Sequence, residues 1–187
     1  MRTPSHLLIT AVLAKHYRGH TKIQQTALLL GAVMPDLPLF ILSGTRALYL
    51  LFSEGRSIIN IHSFMFDELY FNHPWWITTH NVFHAPLILL TGLALTYRAR
   101  AARGTGFWLF WFFAGCLFHM ALDIPTHASD GPLLLFPFNW QWRFHSPVSY
   151  WEQTHFGQIF TVFEYVLDGL LLGYLGVSRL KRKNRNA

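Results

Sequence analysis

Residues 79–124, THNVFHAPLILLTGLALTYRARAARGTGFWLFWFFAGCLFHMALDI, decide the fold. Two apolar stretches flank a basic turn at 98–103, and each carries ionisable residues at its far end. His84 precedes the turn by about as many residues as His119 follows it, and the longer spacings of His80 and Asp123 match in the same way. In an antiparallel helix pair, residues equidistant from the turn lie side by side. His80 and His84 are four apart, as are His119 and Asp123, so each couple occupies one helix face. Four metal-competent side chains are therefore expected to converge.

The flanking sequence extends this pair into an all-α bundle. Ser5 is expected to cap a first helix reaching about Tyr17, and Thr21 or Lys22 to open a second that runs toward Met34, where Pro35 and Pro38 interrupt it around Asp36. Residues 43–79 hold short apolar stretches with Asn60, Asn72 and Pro74, which predict loops and small helices. A third helix is expected over 79–97, with Pro86 kinking it or delaying its regular start until after His84. The fourth covers 107–124 and stops before Pro125. Residues 125–157 combine four prolines with many aromatics and predict turns, and a fifth helix runs from Gln158 into the basic tail. No strand-like alternation or internal repeat is evident, and the 187 residues are read as a single domain.

Composition points to a membrane. The chain is 52% hydrophobic and only 13% charged, where soluble domains carry about 25% charged residues. Residues 106–122 are almost continuously apolar, and 159–177 are long enough to span although they include Glu164 and Asp168. A mean hydropathy of +0.27 also admits a soluble helical protein with a large core. The net charge of +6 is concentrated in three groups: Lys15, Arg18 and Lys22; Arg98, Arg100 and Arg103; and residues 179–185. Each lies at the end of an apolar segment, as cytoplasmic loops do under the positive-inside rule. Such placement favours lipid headgroups as partners over nucleic acid. The single cysteine, Cys116, excludes an intramolecular disulfide and a cysteine-rich zinc site. The apolar stretch at 7–14 superficially resembles a signal peptide, but its cleavage would remove His6, and it is read as retained.

Measured from the basic ends, Asp36, His84 and His119 all lie about 14 to 16 residues away, roughly 21 to 24 Å at helical rise. His6 occupies the end of the first helix opposite Lys15. Four segments thus bring a candidate ligand to one level, facing the outer interface if the basic ends are cytoplasmic. Trp75, Trp76, Trp140, Trp142 and Trp151 in the loops above suit a headgroup layer.

Histidine nitrogen and carboxylate oxygen suit zinc and related divalent ions, and His6, Asp36, His84, His119 and Asp123 are the candidate ligands for one or two of them. An ionisable couple inside an apolar helix, such as His119 with Asp123, demands a function or a partner, and a structural hydrogen bond is the competing account. Asp36 in GAVMPDLP either binds metal or caps a turn. His80, His127 and Asp130 are candidates for proton transfer, for orienting a ligand or, in the last two, for a second ion. Solvated loop positions are the alternative for His127 and Asp130. Glu164 and Asp168 share a helix face and are expected to look into the bundle toward Arg, Tyr or a metal. His145, Glu152 and His155 are weaker candidates, and His16, His20, His62 and His73 are read as surface residues. There is no HExxH, Gly-rich phosphate loop or GxSxG motif.

The stretches SHLLITAVLA, LLLGAVMPDLP, THNVFHAP and LFHMALDIPTH resemble the YdjM-like family of inner-membrane proteins classed as metal-dependent hydrolases. The resemblance implies a helical fold related to zinc-dependent phospholipase C and the fungal single-strand nucleases. In that phospholipase group, the HxxxD spacing of His119 and Asp123 is similar to a metal-ligand pair. The chain departs from the phospholipases in beginning Met1-Arg2 where they place an N-terminal tryptophan ligand, and in having no clean HxxxE pair after His127. The expectation is a multi-pass inner-membrane hydrolase that cleaves an ester or phosphoester, plausibly of a lipid, with a non-enzymatic metal-binding or metal-transporting membrane protein as the alternative.

Overall fold

The computed structural model describes residues 1–16, 21–101 and 104–185, without the side chains of 182 and 185. Tyr17, Arg18, His20 and Arg103 lie outside the described residues. The fold is all-α. Among the described residues the β contact is a lone bridge between Leu133 and Arg143.

Helix α1 spans Thr3–His16 and α2 spans Lys22–Gly31. Thr21 caps α2 with a reciprocal pair, its side chain accepting from the Gln24 N–H while the Gln24 side chain accepts from its own. Ser5 does not cap α1: the helix begins two residues earlier, and the Ser5 hydroxyl turns to α9 instead. Helix α3, Leu37–Ser53, is longer than the sequence suggested. Pro38 sits in its first turn, where a missing N–H costs nothing, so it starts this helix rather than breaking one. The following stretch is also helical: α4 (Ile58–Ser63), a wide π-helical turn (Phe64–Leu69) and the short α5 (Tyr70–Asn72).

The expected third helix is two. Helix α6, Pro74–Asn81, and α7, Pro86–Thr96, meet at a 44° bend, because the Pro86 ring forbids a regular backbone through the preceding turn. A 3-10 turn, Tyr97–Ala101, leads to α8, Thr105–Asp123, and the chain ends in α9, Gly157–Arg185. Residues 125–157 form turns and bends, as their prolines require.

Helix α8 is the central post, with α2, α7 and part of α1 packed against it, while α9 leans on α1. Ala27, Leu89, Phe112, Cys116 and Met120 form the buried core between α2, α7 and α8. At the closest approach, a Cβ on Gly115 would fall 2.5 Å from the Leu28 carbonyl oxygen, and one on Gly31 would strike the Phe112 backbone. Only glycine at both positions lets the two backbones touch. A second core of Leu50, Ile61, Met65, Tyr70 and Trp76 ties α3 to α6.

Two stretches are long and apolar enough to cross a membrane, Thr105–Thr126 and Gly157–Lys181, and the bent α6/α7 pair makes a third if counted as one span. The 22 residues of the first reach about 33 Å at helical rise, sufficient for a hydrocarbon core. The outer face of α9 carries Ile159, Val162, Val166 and Leu170, each more than half exposed. Such a face suits lipid. Trp75, Trp140, Trp142 and Trp151 are exposed, whereas Trp76 is buried beneath α3.

Candidate metal centre

Four side chains from separate stretches meet at one end of α8. Asp36, His84, His119 and Asp123 each offer one ligand atom, and all four atoms lie within 4.8 Å of one another. His119 and Asp123 come from successive turns of α8, His84 from the turn after α6, and Asp36 from the start of α3.

Each histidine in this group is oriented through its other nitrogen. His119 Nδ1 donates to the Ala32 carbonyl at 2.8 Å, and His84 Nδ1 donates to the His80 carbonyl at 2.7 Å. Those bonds turn both Nε2 atoms toward the carboxylates, where the neutral rings present lone pairs to a cation and the protonated rings donate to the carboxylates. His119 Nε2 lies 2.9 Å from Asp123 Oδ2 and 3.5 Å from Asp36 Oδ1, and His84 Nε2 lies 3.5 and 3.4 Å from the same two atoms. His119 Nε2 is buried, and what it faces is the oxygens of Asp123 and Asp36. Buried imidazole nitrogens converging on carboxylate oxygens form a pocket that a cation would complete.

Asp36 does not use its carboxylate to cap α3. Its Oδ2 accepts from the Thr3 hydroxyl, and its Oδ1 faces the two histidines. Burial raises the Asp36 pKa, but hydrogen bonds to His119 and His84 outweigh that and hold it well below the usual carboxylate range. With its side chain 21% exposed against 3% or less for the other three, Asp36 marks the open side of the cluster.

Asp123 also faces a second set of groups through Oδ1. His6 Nε2 lies 2.9 Å away, His127 Nε2 3.4 Å and the Met1 α-amine 2.8 Å, while the amine also donates to Thr126 Oγ1 at 2.8 Å. The His6 ring stacks on that of His119 with centroids 3.7 Å apart. His127 Nδ1 donates to Asp130 Oδ1 at 3.0 Å, and Trp151 Nε1 fixes the other Asp130 oxygen at 2.9 Å. Burial lowers the His127 pKa, but the Asp123 and Asp130 carboxylates outweigh it and raise it to about 9. Tyr150 covers the His127 ring at 4.7 Å.

His80 does not stand beside Asp123 as the spacing predicted. The α6/α7 bend rotates it behind His84, where the two rings stack at 4.2 Å and His80 finds no polar partner for either ring nitrogen. What it contributes to the cluster is its backbone carbonyl. Glu164 and Asp168 do look into the bundle, but away from the metal cluster. Fully buried Glu164 accepts from the Arg2 N–H at 2.6 Å and the Ser5 hydroxyl at 2.8 Å, and Ser5 Oγ lies 3.0 Å from Asp168. Glu152 accepts from Ser129 and lies near His155, and His145 donates to the Ala128 carbonyl, so all three organise the loop. Thr3, Ala32, Thr126 and Trp151 enter the site without any signal in the sequence, because three act through a backbone or hydroxyl group and Trp151 depends on loop closure.

A family model described as YdjM inner membrane protein matches residues 1–184. The chain belongs to the YdjM family. That match takes in every candidate ligand and both apolar spans, so the cluster and the membrane helices belong to one family unit. No curated protein and no solved structure matches the chain, so the implied kinship with phospholipase C and the single-strand nucleases finds no support there. The family description itself names an inner membrane protein, in keeping with the apolar helices.

Proposed function

We propose that this YdjM-family chain is a multi-pass, metal-dependent hydrolase of the inner membrane that cleaves an ester or phosphoester at the Asp36/His84/His119/Asp123 cluster. The observation that carries the reading is the pair of Nδ1-to-carbonyl bonds, which commits the Nε2 lone pairs of His84 and His119 to one point shared with two carboxylates. Two imidazoles and two carboxylates fit zinc; since a catalytic zinc needs a position for water, the partly exposed Asp36 would be the ligand that yields to water or substrate or admits it as a fifth ligand.

Asp36, His84, His119 and Asp123 would hold a divalent ion, which would supply Lewis acidity and activate water there. The protein supplies the rest. His127, oriented by Asp130, would give a proton to the leaving oxygen. His6, stacked on His119 and beside Asp123 Oδ1, would ligate or steady a second ion. A transport route would need polar groups continuing across the membrane, and Glu164 is instead engaged by Arg2 and Ser5. That favours chemistry at a fixed site.

The test is to purify the protein with and without chelator, quantify bound metal, and measure cleavage of a generic phosphodiester, a carboxyl ester and a phospholipid. Chelator-sensitive turnover by a stoichiometric metalloprotein is expected. Metal-loaded protein inactive on all three classes would overturn the hydrolase reading.

A further inference from the structure

Below the His/Asp cluster, toward the basic end of the bundle, α1 does not close fully on the tightly packed pair α2 and α8. They leave a cavity of about 510 Å³ walled by Thr10, Leu13, Ala14, Leu28, Trp111 and Phe118, with His16 at its lower mouth. Its volume falls within the range of ligand pockets, roughly 300 to 1,000 Å³, and its walls are almost wholly apolar. Trp111 and Phe118 belong to the stretch of α8 that is long and apolar enough to cross a membrane, and Leu13 is half exposed, so a bilayer around that stretch would meet the side of the groove. An empty apolar slot of this size facing lipid tails is a slot for a chain of methylenes.

The mouth supplies the other half of the argument. Lys15 and His16 end α1, and Lys22 begins α2 at the same end of the bundle. Both lysines are exposed. His16 is held in place, its Nδ1 donating to the Val12 carbonyl and its Nε2 accepting from the Tyr174 hydroxyl at 3.0 Å. Residues 1–35 contain no Asp or Glu, so α1 and α2 bring no carboxylate to this positive charge. Basic pockets between membrane helices hold anionic headgroups.

We propose that this groove binds one acyl chain of an anionic phospholipid from the leaflet on the basic side, with its phosphate held by Lys15 and Lys22. The site is separate from the metal cluster: the lipid enters with its headgroup at the opposite end of the bundle and its tail pointing toward Thr10, one helical turn from His6. It is a bound lipid, not the substrate, and it seals α1 against α8.

The test uses the full chain reconstituted in phosphatidylcholine vesicles doped with phosphatidylglycerol or phosphatidylcholine probes that carry a photoactivatable group in the acyl chain. Adducts are mapped by peptide mass spectrometry. The phosphatidylglycerol probe is expected to label the groove segments of α1, α2 and α8 in excess over the phosphatidylcholine probe, while the outer face of α9 is labelled equally by both. Lys15→Gln and Lys22→Gln each reduce that excess about fivefold, with helix content unchanged by circular dichroism; Lys22→Gln is the cleaner variant, because the Lys15 ammonium also lies 4.9 Å from the Tyr174 ring. Ala14→Phe, which fills the groove, abolishes the adduct. Equal labelling of groove and α9 by both probes, an adduct that survives Ala14→Phe, or cross-links joining two copies of the chain at the groove would each overturn the proposal.

Discussion

His119 Nδ1 donates to the Ala32 carbonyl at 2.8 Å, across the interface where Gly31 and Gly115 let α2 and α8 touch. One hydrogen bond therefore couples the closest helix packing in the molecule to the orientation of a candidate metal ligand. If α2 moves outward, Ala32 moves with it, and His119 Nε2 loses its aim at Asp123.

Gly115→Ala should show that coupling. The new methyl must displace the Leu28 backbone, and overpacking of a tight interface costs about 1 to 3 kcal/mol. The expected result is a lowered thermal midpoint in detergent together with reduced metal content. An alanine variant with unchanged stability and full metal would sever the link between packing and site.

Asp123 is the residue whose loss should matter most, because its two oxygens face both halves of the site. Asp123→Asn keeps the shape but removes the charge. Bound metal should fall at least tenfold and hydrolysis at least a hundredfold, with helix content by circular dichroism retained.

His127→Gln separates proton transfer from metal binding. Retained metal with a kcat lowered about a hundredfold or more is expected, since a positioned acid contributes about 10² to 10⁴. Loss of metal in this variant would reassign His127 to the ligand set.

Acid should release the ion. Histidine ligands must be unprotonated to bind, so protons compete with the cation and its occupancy rises with pH. His127, with a pKa raised to about 9, extends that competition above neutrality if it faces the ion. Equilibrium dialysis against a fixed zinc concentration from pH 5 to 9 should show increasing occupancy. A flat profile would argue against histidine ligation.

Glu164 is expected to be structural. Glu164→Ala leaves the Arg2 N–H and Ser5 hydroxyl without their buried acceptor, a loss that costs about 1 to 3 kcal/mol for each buried donor left unsatisfied. Glu164→Gln keeps an acceptor and should cost less. Metal content per folded chain should be unchanged in the glutamine variant.

The helical class and the meeting of His84, His119, Asp123 and Asp36 were legible because helical rise converts residue number into height, and the basic clusters mark a common zero. His80 was not, since Pro86 breaks the rise between it and the turn. Counting through a proline assigns a height that the bent backbone does not keep. Helix α3 was masked by its own punctuation: Pro38 reads as a breaker in one dimension, but it lies in a helix's opening turn. The Ala32 carbonyl and the Thr3 hydroxyl were beyond reach, because their role is set by which helices cross and how closely.

The most direct measurement of the central claim is the divalent metal content per chain of pure, folded protein, before and after exhaustive chelation and zinc restoration. The account predicts at least one ion per chain, removed by chelator and restored by zinc in wild type but not in Asp123→Asn. Folded wild-type protein that carries no divalent ion and takes up none on restoration would contradict it.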